Sequence, residues 1–207
     1  MTRVKVCGIT NLEDALAALD AGADMLGFNF YARSPRHVTP ADARKIIGRL
    51  PAGVSRVGVF VNEPAPAEVE RVAREAGLDA VQLHGDETPD YCRSLRDLTT
   101  IKALRVGADY DVESAAAYGT DAVLLDAYVA GARGGTGHTF DWTLATLTRG
   151  RVPRLFLAGG LNPDNVAEAV AAVRPYAVDV CSGVETSPGR KSPRLMRRFI
   201  RAVVSRQ

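Results

Sequence analysis

Apolar and polar positions alternate along the chain in two rhythms, and the rhythms take turns from one end to the other. Short runs rich in Val, Ile, Leu, Phe and Ala fall at residues 4–7, 25–30, 56–61, 80–84, 100–104, 122–126, 154–158 and 177–181. Their length and β-branched content predict buried strands. Between them lie amphipathic segments at 12–21, 41–50, 66–76, 89–98, 112–118, 142–148 and 165–173. A last segment at 193–204 contains LMRRFIRAVV, with apolar residues at helical spacing. Strand–helix alternation predicts a parallel sheet with both faces covered. Eight such units with no break in composition predict an α/β fold that closes as a single (β/α)8 barrel of the TIM type, with residues 1–207 as one domain. An open doubly wound sheet is the alternative, and the lack of a GxGxxG after the first strand counts against it. Two connections exceed turn length, 31–39 and 127–139, and both follow the carboxyl ends of predicted strands. The glycine-rich part of the second, 131–137, reads either as a mobile lid or as a surface loop without a role.

The stretch 155–185 carries the strongest local pattern. An apolar run ends in Gly159-Gly160, Asn162 offers an N-cap oxygen, and Pro163 suits the first position of a helix. Pro175 stops that helix, and a second apolar run ends in Ser182-Gly183. Glycine lets a backbone come close to a ligand, and free N–H groups at a helix start attract anions. The two turns on neighbouring strands therefore read as a phosphate cradle, or more plainly as two tight turns.

Composition narrows the partners. The net charge is +2, with both signs interspersed, so nothing favours nucleic acid or a membrane surface. No apolar run is long enough to span a bilayer, and Met1-Thr2-Arg3 leads straight into a predicted strand without a leader pattern. Three scattered cysteines, Cys7, Cys92 and Cys181, suit a reducing cytoplasm better than a disulfide framework. His37, His84 and His138 lack metal-ligand spacing, so no metal site is expected. Amphipathic outer helices serve monomers and dimers alike, so the sequence leaves the oligomeric partner open.

Chemistry gathers where the strands end. Cys7, Asn29, Asn62, His84, Asp126 and Ser182 each close an apolar run. Residues two apart on a strand share a face, so Lys5 points with Cys7, Gln82 with His84, and Asp179 with Cys181. Barrel closure makes the first and eighth strands neighbours, which would let Lys5 and Asp179 pair inside it. A thiol at Cys7 and a carboxyl at Asp126 at one mouth suit a general base and a general acid. His84 is either a further proton carrier or a group that supports one. Arg36 in SPRH offers a planar fork for a carboxylate, or is a solvated loop arginine. Cys92 and Cys181 read as inert buried thiols.

KVCGIT, GFNFYARSPRHV, VGVFVN, VQLHGDE, LLDA, GGTGHTFDW, LAGGLNPDNV, VDVCSGVE and PGRK, in this order over nearly the whole chain, resemble phosphoribosylanthranilate isomerases of tryptophan biosynthesis. The resemblance implies a (β/α)8 barrel, no cofactor, and a small-molecule phosphorylated sugar–anthranilate substrate. The reaction it implies is an Amadori rearrangement of N-(5′-phosphoribosyl)anthranilate to 1-(2-carboxyphenylamino)-1-deoxyribulose 5-phosphate. It puts the base on Cys7, the acid on Asp126 and the carboxylate-facing arginine on Arg36. Phosphate-binding backbone falls on Gly159, Gly160, Ser182 and Gly183, with Gly135, Thr136 and Gly137 of the sixth loop nearby. Cys181 stands where the family more often has serine, and Ser192 where aspartate is frequent. Two other readings remain at this point. One is a bisubstrate isomerase that also serves histidine biosynthesis, against which the glycine-poor, acidic NEPAPAE after Val61 speaks. The other is a catalytically silent barrel that binds a phosphorylated ligand.

Overall fold

The structure, a computed structural model, describes residues 1–107, 110–126 and 142–205. Eight parallel strands close on themselves in chain order. They are β1 (Arg3–Val6), β2 (Met25–Asn29), β3 (Ser55–Phe60), β4 (Ala80–Leu83), β5 (Thr99–Arg105), β6 (Ala122–Asp126), β7 (Leu155–Ala158) and β8 (Ala177–Val180). The helices alternate with them: α1 (Leu12–Asp20), α2 (Pro40–Ile47), α3 (Pro66–Ala76), α4 (Pro89–Ser94), α5 (Val112–Ala116), α6 (Trp142–Arg149), α7 (Val166–Val173) and α8 (Pro193–Val204).

Strand alternation sorts the apolar side chains into two cores. Met25, Val57, Ile101, Leu124 and Phe156 fill the barrel. Leu26, Val81, Val123, Leu155 and Val178, at the alternate strand positions, point outward and meet the helices. Each face is apolar, so each strand is buried on both sides, and the sequence shows continuous apolar runs rather than alternation. The helices start where a short oxygen-bearing side chain precedes proline. Thr39, Thr88 and Ser192 accept from the backbone N–H three residues on, with Pro40, Pro89 and Pro193 next in line. Each such cap stabilises its helix by about 1 kcal/mol. Ser192 thus does what an aspartate would do there.

The boundaries differ from the sequence pattern in an informative way. Cys7, His84 and Cys181 lie one residue beyond their strands. They leave the ladder to form the rim, which is where a side chain can face solvent. The seventh helix, Val166–Val173, keeps its expected bounds to within a residue, but Asn162 does not cap it and Pro163 stays outside it. Asn162 Oδ1 accepts from the Asp164 N–H and Asn165 Oδ1 from the Asn162 N–H, both at 2.8 Å, and this local turn precedes the helical start. The fourth helix is shorter than its pattern because Leu95 leaves helical geometry at ψ 52°. After β8 the chain adds a 3₁₀ turn, Ser182–Val184, and a small antiparallel hairpin, β9 (Glu185–Ser187) with β10 (Arg190–Lys191). Neither was visible in the apolar pattern. Among the described residues no helix is long and apolar enough to cross a membrane.

Candidate active site

The carboxyl ends of the strands surround a cleft of about 240 Å³. Cys7, Arg36, His84 and Asp126 line it together with Gly159, Gly160, Asp179 and Ser182. One mouth therefore collects residues from β1, β4, β6, β7 and β8 and from the loop after β2.

Cys7 stands over a buried ion pair. β1 and β8 are in register with Lys5 opposite Asp179, and the Lys5 ammonium donates to Asp179 Oδ2 at 2.9 Å. Lys5 is fully buried. Burial opposes its charge, yet the Asp179 and Cys7 charges hold the ammonium above the usual lysine range. Burial pushes the Asp179 carboxyl up to about 6, against the pull of Lys5. Its second oxygen, Oδ1, is buried with no hydrogen-bond partner among the described residues. The Cys7 thiol is held well below the usual 9.0. A hydrogen bond from the Cys181 thiol is the main cause, burial works against it, and the Lys5 and Lys191 ammoniums add to the pull. Gly27 of β2 makes the room: a Cβ there would lie 2.7 Å from Cys7 Sγ and 3.1 Å from Lys5 Nζ.

Asp126 sits across the mouth, coupled to β4. Gln82 Nε2 lies 2.8 Å from His84 Nδ1, and an amide nitrogen can only donate. The imidazole's own proton therefore belongs on Nε2, which reaches Asp126 Oδ2 at 3.2 Å. His84 supports the carboxyl rather than standing alone. Behind it, buried Glu87 accepts from the Lys102 ammonium at 2.7 Å and from the Asn62 N–H at 2.8 Å, tying the loop after β4 to the end of β3.

Arg36 projects from the long loop after β2, but not as a free fork. Its Nε and Nη2 donate to the two oxygens of Glu185 at 2.8 and 2.6 Å. Lys191 from the small hairpin also donates to Glu185, at 2.8 Å, and to the Cys181 carbonyl at 3.2 Å. Burial raises the Glu185 carboxyl and these two cations more than offset it, leaving it below its usual value. Glu185 and Lys191 were the members that sequence reasoning missed. Both stand in the quoted motifs VDVCSGVE and PGRK, but their pairing depends on a hairpin that no apolar pattern announces.

The glycine turns meet between β7 and β8. Gly159 and Gly160 adopt φ of 85° and 66°. Such values suit glycine, and a side chain would be strained there. At Gly183 a side chain is excluded for a different reason: its Cβ would collide with the Leu161 carbonyl. The backbone N–H groups of Gly160, Ser182 and Gly183 donate to no backbone carbonyl among the described residues. Gly135, Thr136 and Gly137, with the rest of the 127–139 connection and His138, lie outside the described residues. Cys92 is the buried residue of α4 and does not line the mouth. Among the described residues no group of three or more His, Cys, Asp or Glu is placed to hold a metal ion.

Fold and mouth together define the class: a (β/α)8-barrel enzyme that works from the carboxyl ends of its strands. The family described as N-(5'phosphoribosyl)anthranilate (PRA) isomerase matches residues 4–202. N-(5'-phosphoribosyl)anthranilate isomerase of Trichlorobacter lovleyi is 54% identical over 201 residues, 97% of each chain. The crystal structure of phosphoribosyl anthranilate isomerase from Thermotoga maritima superposes with a TM-score of 0.92 at 48% identity, covering 99% of this chain and 100% of that one. A phosphoribosyl anthranilate isomerase in complex with reduced 1-(o-carboxyphenylamino)-1-deoxyribulose 5-phosphate gives 0.89 at 47% identity, covering 99% and 100%. The chain belongs to the phosphoribosylanthranilate isomerase family.

Proposed function

We propose that this isomerase of tryptophan biosynthesis performs its Amadori rearrangement with Asp126 as general acid and Cys7 as general base. The substrate is N-(5′-phosphoribosyl)anthranilate. One observation carries the assignment: a thiol held well below its usual 9.0 and a carboxyl on a neighbouring imidazole face the same cleft. Asp126 delivers a proton to the furanose ring oxygen, and the ring opens to a Schiff base. The Cys7 thiolate then removes the C2′ proton, and the resulting enolamine tautomerises to the ketone. The iminium is itself the electron sink for the second step.

Binding holds C2′ between the two groups. The phosphate takes the N–H groups of Gly160, Ser182 and Gly183, with Gly159 shaping the turn and Gly135, Thr136 and Gly137 closing over it. The anthranilate carboxylate faces Arg36. Glu185 fixes one edge of that guanidinium and leaves Nη1 for the ligand. A base that works as a free thiol supports a reducing compartment, the cytoplasm, as its setting, with residues 1–207 read as one catalytic domain.

The test is the loss of phosphoribosylanthranilate fluorescence on adding purified protein. Cys7→Ser and Asp126→Asn should each cut turnover by about 10²–10⁴-fold while leaving the fold intact. A folded variant of either kind that turns over near the wild-type rate excludes that residue from proton transfer.

A further inference from the structure

Cys7 and Cys181 leave β1 and β8 side by side, one residue past the paired Val6 and Val180. The Cys7 N–H donates to the Val180 carbonyl at 2.9 Å, which keeps the two strands in register up to the rim. Neighbouring strands run about 4.8 Å apart, inside the Cα separation of about 4.4–6.8 Å that a disulfide accepts. Both side chains face the same cleft, and both are free and part-exposed. Each sulfur also lies against a glycine: a Cβ at Gly27 would sit 2.7 Å from Cys7 Sγ, and one at Gly8 would sit 3.0 Å from Cys181 Sγ. We propose that Cys7 and Cys181 form a modification site, a dithiol that a hydroperoxide closes to a reversible disulfide across the barrel seam.

The chemistry divides between the two sulfurs. Reactivity toward peroxide follows thiolate character and access. Cys7 has both, whereas Cys181 is held as the thiol because it donates its proton toward Cys7. The Cys7 thiolate attacks one peroxide oxygen. The O–O bond breaks, the sulfur loses two electrons to become a sulfenic acid, and hydroxide leaves and takes a proton to become water. Cys181 then attacks the Cys7 sulfur. The S–S bond forms, the S–O bond breaks, and the departing hydroxide takes the Cys181 proton. With hydrogen peroxide as the hydroperoxide, the sum is two thiols and one hydrogen peroxide going to one disulfide and two waters. A thiol reductant reverses it by exchange. Cys92 takes no part: burial pushes it up to about 11. That the closed form is inactive rests on the reading of Cys7 as the base.

The experiment oxidises the full-length protein with hydrogen peroxide, blocks the remaining thiols, and maps peptides without reduction. The expected result is one blocked thiol, on Cys92, and a Cys7–Cys181 cross-linked peptide two hydrogens lighter than the reduced pair. Turnover falls by about 10²-fold or more and returns with dithiothreitol. In Cys181→Ser no intramolecular cross-link forms, and Cys7 proceeds to the sulfinic acid, which dithiothreitol does not rescue. The proposal is overturned if peroxide leaves Cys181 open to blocking in the wild-type protein. A cross-linked protein that still turns over would keep the dithiol and instead remove Cys7 from catalysis.

Discussion

Gly27→Ala adds one methyl group beneath the Cys7 thiol, and its effect follows from distances already in the structure. The new carbon would lie 2.7 Å from Cys7 Sγ, 3.0 Å from Cys7 Cα and 3.1 Å from Lys5 Nζ. Comfortable heavy-atom contact begins at about 3.5–4.0 Å, so the thiol must retreat by about 1 Å. Cys7 has one side-chain torsion and a backbone fixed to Val180, so relief comes from rotating the sulfur away or from shifting β1. Misplacing a catalytic group by about 1 Å costs on the order of 10²-fold in rate. Overpacking costs about 1–3 kcal/mol of stability. At about 2–4 °C per kcal/mol for a domain of this size, Tm should fall by about 2–12 °C. Steady-state fluorescence kinetics beside calorimetry separates the two effects. The expected pattern is a large fall in kcat with little change in KM, because the proposed phosphate contacts follow β7 and β8 and Arg36 stands in the loop beyond the end of β2. A folded variant with kcat close to wild type would show that the placement of the Cys7 sulfur does not limit the reaction.

Three further outcomes follow from the charges at the mouth. Because the Cys7 thiol is held below 9.0, activity should fall on acidification as the thiolate takes up its proton. Removing the hydrogen bond with Cys181→Ala should move that limb upward in a pH–rate profile, and an unmoved limb would exclude the thiol as its source. Lys5→Met should lower stability by about 3–5 kcal/mol in denaturant titrations, since it strands Asp179 without its partner. The same change should also raise the acid limb, since an ammonium beside the thiolate is lost. Glu185 is held below its usual 4.5, so its stabilisation is present above that pH and is lost as the pH falls through its folded value. Glu185→Gln should therefore flatten the acid side of the wild-type Tm–pH curve, and a parallel curve would refute the role of the cation pair.

What could be read from sequence was what lies along a strand. Apolar runs marked all eight barrel strands, and the two-residue repeat put Lys5 on the face of Cys7 and opposite Asp179 once the barrel closed. Rim residues were legible for the same reason: of the polar groups ending apolar runs, Cys7, Asn29, His84, Asp126 and Ser182 line the mouth, while the Asn62 side chain binds Asp86 instead. What lies between strands was not legible. The Arg36–Glu185–Lys191 cluster joins loops 149 residues apart and rests on a hairpin of two very short strands. The Gln82–His84–Asp126 relay needs the angle between β4 and β6, which no single-strand pattern encodes. Asn162 shows the local limit, since a side chain able to cap a helix can as readily close a turn ahead of one.

The Lys5–Asp179 pair joins groups 174 residues apart in the chain, so it is among the last contacts that folding can complete. Until β8 docks, the proposed base on β1 lacks the thiol that holds its proton off, and the turn after β7 lacks its other half. A barrel one strand short would keep much of its hydrophobic core yet have no working site. Catalysis in this chain is thus a readout of closure. In a refolding experiment, return of turnover should coincide with the slowest phase that buries the seam, not with the earlier recovery of helical signal.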